Sequence, residues 1–177
     1  MGETAIQKPP TKLLEVWESL PEGTYCQIIN NSLVMSPAPL NSHQKVLGKI
    51  FARLLAHIEK NNLGEVYIAP CDVHFDEKNI YQPDLTFVSR ENEDRIMDRG
   101  IKGSPDLIIE VLSPSNQRFD KVDKKDIYEK YGVKEYFIVD PSDKSVLSYL
   151  LVNDEFVQRE SKSGTIESQL LGATFTF

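Results

Sequence analysis

The stretch Asp106-Leu107-Ile108-Ile109-Glu110-Val111-Leu112, followed by Ser113-Pro114-Ser115, sets one carboxylate inside a nearly continuous apolar run. A run of this length, rich in isoleucine, leucine and valine, fits a strand buried on both faces in the middle of a sheet. Side chains alternate along a strand, so Ile108, Glu110 and Leu112 share one face and Ile109 and Val111 the other. Ser113-Pro114-Ser115 opens a helix from about Asn116 to Tyr131, closed by Gly132. Glu135-Tyr136-Phe137-Ile138-Val139 is then a second strand, ending at Asp140-Pro141. A strand–helix–strand unit of this kind predicts parallel neighbours joined by a right-handed crossover.

Upstream, Asn41 with Gln44 three residues later reads as a capping box, and a helix runs to about Lys60. Asn61-Asn62-Leu63-Gly64 stops it. Two extended segments follow, Glu65–Phe75 and Ile80–Ser89, joined by a turn at Asp76-Glu77-Lys78-Asn79. A charged helical link covers Glu91–Arg99. The middle of the chain therefore reads helix, strand, strand, strand, helix, strand. This αβββαβ order predicts an α/β fold with a mixed sheet flanked by helices on both faces. Before it come a short helix from Thr11 to Leu20 and a hairpin, Tyr25–Ile29 with Ser32–Met35, turning at Asn30-Asn31. After it comes a β-meander of Ser145–Val152, Glu155–Glu160 and Ala173–Phe177. The expected organisation of the 177 residues is one domain: an arm and short helix over 1–20, a core over 21–150, and a C-terminal β extension over 151–177.

The charge sum is 20 basic minus 27 acidic residues, or -7. That balance excludes a protein coating nucleic acid along its whole surface, while leaving room for a local basic groove. Cys26 and Cys71 are too few for a disulfide framework or a zinc site, and read as small buried thiols. No apolar run reaches the 18 or so residues of a membrane span, and the N-terminus lacks signal-peptide regions. The expectation is a soluble, cytoplasmic protein with no membrane contact.

Three polar constellations stand out. Asp84 lies in Tyr81-Gln82-Pro83-Asp84-Leu85-Thr86-Phe87-Val88, and Glu110 in the central strand. A buried carboxylate needs a cation, a metal or several donors; a structural ion pair and a solvated strand end are the bland alternatives. On the helix after Glu110, Ile127, Tyr128 and Tyr131 form the apolar face, and Asp120 and Lys124 fall inside the same arc. This implies a polar pocket at the strand's end, or an i,i+4 Asp–Lys pair at the edge of the face. Lys125 points elsewhere, toward solvent. On the earlier helix, Lys45, Lys49 and Arg53 repeat every four residues as a basic stripe, fit for phosphates or for a solvated face. His43 projects to the apolar side with Leu47, Ile50 and Leu54, as a core histidine or as a working group. There is no GxxxxGK, GxSxG or HExxH.

The pattern Gln82-Pro83-Asp84-Leu85, then Pro105 to Ser115, then Asp120, Lys124, Tyr128, Gly132-Val133, Glu135-Tyr136 and Val139-Asp140-Pro141 resembles the Uma-type family of bacterial restriction-endonuclease-like proteins. That family falls in the PD-(D/E)xK nuclease superfamily. The likeness runs from about residue 20 to 150 and includes His43-Gln44 and Asp72-Val73.

The resemblance implies a restriction-endonuclease-like αβββαβ core and a Mg²⁺-dependent endonuclease acting on DNA, with Mn²⁺ as a substitute. It implies that Asp84 and Glu110 hold the metal with the Val111 carbonyl, and that a lysine stabilises the transition state. Expected products carry 5′-phosphate and 3′-hydroxyl. The superfamily's lysine would stand two residues after Glu110, where this chain has Leu112; Lys124 is the matching position on the following helix. His43, Asp72, Asp120 and Gln82 are possible accessory residues, and Lys45, Lys49 and Arg53 possible phosphate contacts. A homodimer is expected by analogy with nucleases that cut both strands. Facing one another across a metal cavity, Asp84 and Glu110 should repel in the metal-free protein. Two other classes compete: an idle nuclease fold used for binding or assembly, which Leu112 and the acidic balance favour, and a two-carboxylate sugar hydrolase.

Overall fold

The computed structural model describes residues 10, 12–21, 23–35, 37–113 and 123–177. Its centre is a six-stranded mixed sheet. Four of its strands are β3 (Gly64–Ile68), β6 (Leu85–Ser89), β8 (Leu107–Val111) and β9 (Glu135–Val139); β10 (Val146–Val152) and β11 (Glu155–Arg159) complete it, in the order β11-β10-β9-β8-β6-β3. β6 runs antiparallel to both β3 and β8, while β8 and β9 are parallel, Leu107 opposite Glu135 and Val111 opposite Val139. The mixed α/β architecture expected from the sequence is the one observed. All five β8 residues are buried.

Helix α2 (Asn41–Asn61) lies on one face of this sheet. Its buried residues His43, Val46, Leu47, Ile50, Leu54 and Ile58 recur at helical spacing, and all but His43 share one apolar core with Leu107, Ile109 and Val111. Burying each of Leu47, Ile50, Leu54 and Ile58 contributes roughly 1.5–3 kcal/mol. The helix starts differently from the capping box expected at Asn41. Leu40 occupies the cap position, no side chain caps the helix, and the Gln44 N–H donates to the Leu40 carbonyl at 3.0 Å. Asn62, at φ 54°, ends it in the left-handed conformation that asparagine tolerates.

The opposite face carries Ile108, Glu110 and Leu112, as alternation requires, and meets α3 (Lys124–Lys130). The expected start of that helix, near Asn116, lies outside the described residues, as does the Thr11 cap of α1 (Leu13–Glu18). A second sheet packs on the same side, in the order β2-β1-β5-β4-β7: β1 is Cys26–Ile29, β2 Ser32–Met35, β4 Val73–Asp76, β5 Asn79–Tyr81 and β7 Ile101–Lys102. The β1–β2 hairpin turns at Asn30 and Asn31, both at positive φ.

The two long extended segments read from the sequence each split in two. Pro70 and Pro83 have no N–H for a strand ladder, and the chain changes sheets at each. β3 and β6 stay in the large sheet, while β4 and β5 form a hairpin in the smaller one. The helical link is a 3-10 segment, Arg90–Arg95. The C-terminus is also more integral than an appended meander. β10 and β11 extend the main sheet, and β12 (Thr165–Ser168) and β13 (Ala173–Thr176) form a separate hairpin. Ile166, Phe175 and Phe177 from that region enter the core beneath α2. Among the described residues no helix is long and apolar enough to cross a membrane.

Candidate active site

Because β6 and β8 are antiparallel, with Leu85 opposite Ile109, the residue that precedes β6 meets the last residues of β8. That residue is Asp84. Its Oδ2 accepts the Val111 N–H at 2.7 Å and lies 3.0 Å from His43 Nε2. Two elements thus fix one carboxylate oxygen: the end of the central strand and the first turn of α2. Asp84 Oδ1 accepts no hydrogen bond from the described residues, and its side chain is 17% exposed.

One residue back along β8, Glu110 is 2% exposed. Its Oε1 accepts from Lys124 Nζ at 2.8 Å and from the Tyr128 hydroxyl at 2.7 Å. Lys124, at 4%, and Tyr128, at 0%, are equally sequestered. Lys124 and Tyr128 stand four residues apart on α3, one turn, so a single helix face delivers both donors to one oxygen. Of the amphipathic arc read from the sequence, Ile127, Tyr128 and Lys124 are buried together. Tyr128 joins this polar cluster although the helical periodicity places it on the apolar face. Its ring counts as apolar surface, although its i+4 spacing from Lys124 puts the hydroxyl on the same stripe.

The two carboxylates are therefore each paired, and do not form the repelling pair expected from the sequence. Glu110 has Lys124, and Asp84 has His43. Burial alone would lower the His43 pKa, but its hydrogen bond to Asp84, the charges of Asp84 and Glu110 and the Val111 carbonyl outweigh it and hold the imidazole above its ordinary value. His43, buried at 5%, thus belongs to the polar cluster while the rest of its helix face is core.

The other candidate residues lie elsewhere. Gln82 Nε2 donates to Asp72 Oδ1 at 2.9 Å and to the Thr24 carbonyl at 3.1 Å. Both side chains line a cavity of about 680 Å³ with Trp17, Tyr67 and His74, and no hydrogen bond joins them to Asp84 or Glu110. Lys45, Lys49 and Arg53 are exposed along α2. Asp120 lies outside the described residues. Lys125, expected in solvent, is partly covered, with Nζ 5.5 Å from the Tyr149 ring centroid and 3.6 Å from Glu129. The chain's second Pro-Asp carboxylate, Asp106, is tied into structure by Lys134 Nζ at 2.7 Å, Asn92 Nδ2 at 2.8 Å and the Ser89 N–H at 2.8 Å.

Among the described residues no three His, Cys, Asp or Glu side chains converge as a metal site. Two carboxylates are what the described residues offer, with Asp84 Oδ1 accepting no hydrogen bond among them and the Val111 carbonyl near enough to act on His43. Hard oxygen donors in small number, with water completing the shell, suit Mg²⁺ or Mn²⁺ and not a ligand-demanding zinc site. The donor chemistry fits.

A family model described as "Putative restriction endonuclease", Uma2, matches residues 13–176, a longer span than the 20–150 of the sequence resemblance. The C-terminal strands thus fall within the family match. Among solved structures, one described as "a putative nuclease belonging to DUF820" from Anabaena variabilis ATCC 29413 superposes with a TM-score of 0.74 at 17% identity, covering 92% of each chain. That likeness is one of fold. No curated protein matches the sequence.

Proposed function

The chain belongs to the Uma2 restriction-endonuclease-like family, and from that premise we propose that it is a Mg²⁺-dependent endonuclease, served also by Mn²⁺, that hydrolyses DNA phosphodiester bonds to 5′-phosphate and 3′-hydroxyl ends. The observation that carries the reading is the meeting of Glu110 and Lys124. A buried lysine reaches the central-strand carboxylate at 2.8 Å from the next helix, in a chain whose position two residues after Glu110 is Leu112.

Asp84, Glu110 and the Val111 carbonyl would hold the ion, which when bound polarises the phosphodiester and makes a nucleophile of water near neutral pH. The protein's own part is positional and electrostatic. The Val111 N–H and His43 hold the Asp84 carboxylate at the end of β8. Lys124 brings a full positive charge to where negative charge develops on phosphorus oxygens, in a site largely closed to water. The stripe Lys45, Lys49 and Arg53 runs along the exposed side of the helix whose first turn carries His43, so a phosphate backbone tracking α2 leads to the site. Cutting both strands calls for two such sites, hence a homodimer. An enzyme acting on chromosomal or invading DNA would work in the cytoplasm.

Purified protein should nick or linearise supercoiled plasmid with Mg²⁺ or Mn²⁺ and stop when EDTA is added. A folded sample that cuts no supercoiled, linear or single-stranded DNA with either ion would instead favour an idle fold used for binding or assembly.

A further inference from the structure

Two donors to Glu110 Oε1 among the described residues are buried, and they are held differently. Tyr128 is fully buried, and its ring is wedged among Phe75, Tyr81 and Tyr136, with centroids at 5.6, 5.9 and 4.9 Å. Rotating it would disturb every one of those rings. Lys124 ends in an ammonium on a flexible four-carbon stem at the first residue of α3. A divalent cation and an ammonium compete for the same carboxylate, because each carries the charge that stabilises it. Lys124 bound to Glu110 therefore stands where a metal's charge is needed, and it cannot serve the reacting phosphate until it leaves.

Resting on the metal-site reading above, we propose that Tyr128 is a positioning residue that keeps Glu110 Oε1 oriented while Lys124 exchanges from Glu110 to the substrate as the metal enters. With the hydroxyl in place the carboxylate stays aimed at the site after its ammonium partner departs. Without it, Glu110 loses a donor carried on a tightly packed ring. Lys124 is thus a resident cation that the metal displaces, and Tyr128 is what the displacement leaves behind.

The two side chains should then affect metal binding in opposite directions. Mn²⁺ affinity is measured by titration calorimetry on the full chain, for wild type, Tyr128→Phe, Lys124→Met and Glu110→Gln, with circular dichroism confirming the fold. Tyr128→Phe keeps the ring and should bind Mn²⁺ about tenfold more weakly, the usual cost of losing an outer-shell partner. Its plasmid cleavage, slow at low Mn²⁺, should recover at saturating Mn²⁺. Lys124→Met should bind Mn²⁺ more tightly than wild type and still fail to cleave. Wild-type affinity in Tyr128→Phe, with binding abolished in Glu110→Gln, overturns the positioning role and leaves the metal site standing. No binding by wild type, or undiminished binding by Glu110→Gln, overturns both. Should Tyr128→Phe not fold, Lys124→Met decides: unchanged or weaker Mn²⁺ binding overturns the exchange.

Discussion

At the scale of single residues, the site is arranged as two charge pairs and not as one repulsive pair. Glu110 and Lys124 are 2.8 Å apart with side chains only 3% and 5% exposed, so neither has water to fall back on. Neutralising one removes the opposite charge that sits 2.8 Å from the other. Glu110→Gln should cost roughly 3–5 kcal/mol in a denaturant titration, because it leaves Lys124 charged and buried. Asp84→Asn should cost less: its side chain is 17% exposed and an amide oxygen can still accept the Val111 N–H. Equal, negligible losses would mean that Glu110 and Lys124 are not paired in solution. Glu110 and Lys124 are legible in the sequence for opposite reasons, a charge inside an apolar strand and a charge inside the apolar arc of a helix. The Tyr128 hydroxyl is not legible in that way, since a tyrosine on a buried face satisfies the pattern through its ring and nothing marks its oxygen as needing a partner. The Asp84–His43 pair is hidden too, because α2 and β6 are brought together only by tertiary packing.

At the scale of elements, long periodic segments are readable and interrupted ones are not. The 21 residues of α2 carry apolar repeats from Val46 to Ile58, about three and a half turns, whereas Glu65–Phe75 reads as one strand unless Pro70 is given its full effect on the ladder. The entry to β3 is equally constrained. Gly64 has φ +144°, and a Cβ there would meet the Val88 carbonyl oxygen at 2.1 Å, so the strand can approach β6 only with glycine at that point. The outer face of α2 matters for the substrate. Replacing Lys45, Lys49 and Arg53 together by glutamine should weaken DNA binding and flatten the slope of log affinity against log salt by up to about 2.7, since each neutralised duplex phosphate contributes about 0.9. Binding measured by fluorescence anisotropy without divalent metal checks this, and an unchanged slope would assign the stripe to solvent.

At the scale of the molecule, the site sits on a sheet whose strands are tied to their surroundings by two further buried carboxylates, Glu135 and Asp106. Glu135, on β9, accepts the Gln169 and Leu170 N–H groups at 2.7 and 3.0 Å and so anchors the C-terminal hairpin region against the central sheet. The sequence pattern ends the core near residue 150, because nothing local announces that the last strands return beneath α2. Asp106 does similar work at the start of β8. Burial would raise its pKa, but Lys134, Asn92 and Ser89 together hold it below the ordinary carboxylate value. A depressed pKa contributes stability that is present above the unfolded value, about 3.9, and is lost as pH falls through the folded one. Asp106→Asn should therefore be less stable than wild type at pH 7, by roughly 1.5–3 kcal/mol for removal of a charged hydrogen-bonding partner, and the gap should close in acid. Urea denaturation at pH 7 and pH 3 tests it; a gap independent of pH would mean the charge of Asp106 is immaterial. The central claim, that the lysine serving the Asp84–Glu110 centre comes from α3, is tested most directly by single-turnover plasmid cleavage at saturating Mn²⁺ for wild type, Lys124→Ala and Lys125→Ala. The account predicts a fall of two or more orders of magnitude for Lys124→Ala, about 3 kcal/mol of transition-state stabilisation, and a near-wild-type rate for its neighbour. Equal rates for the two folded variants would contradict it.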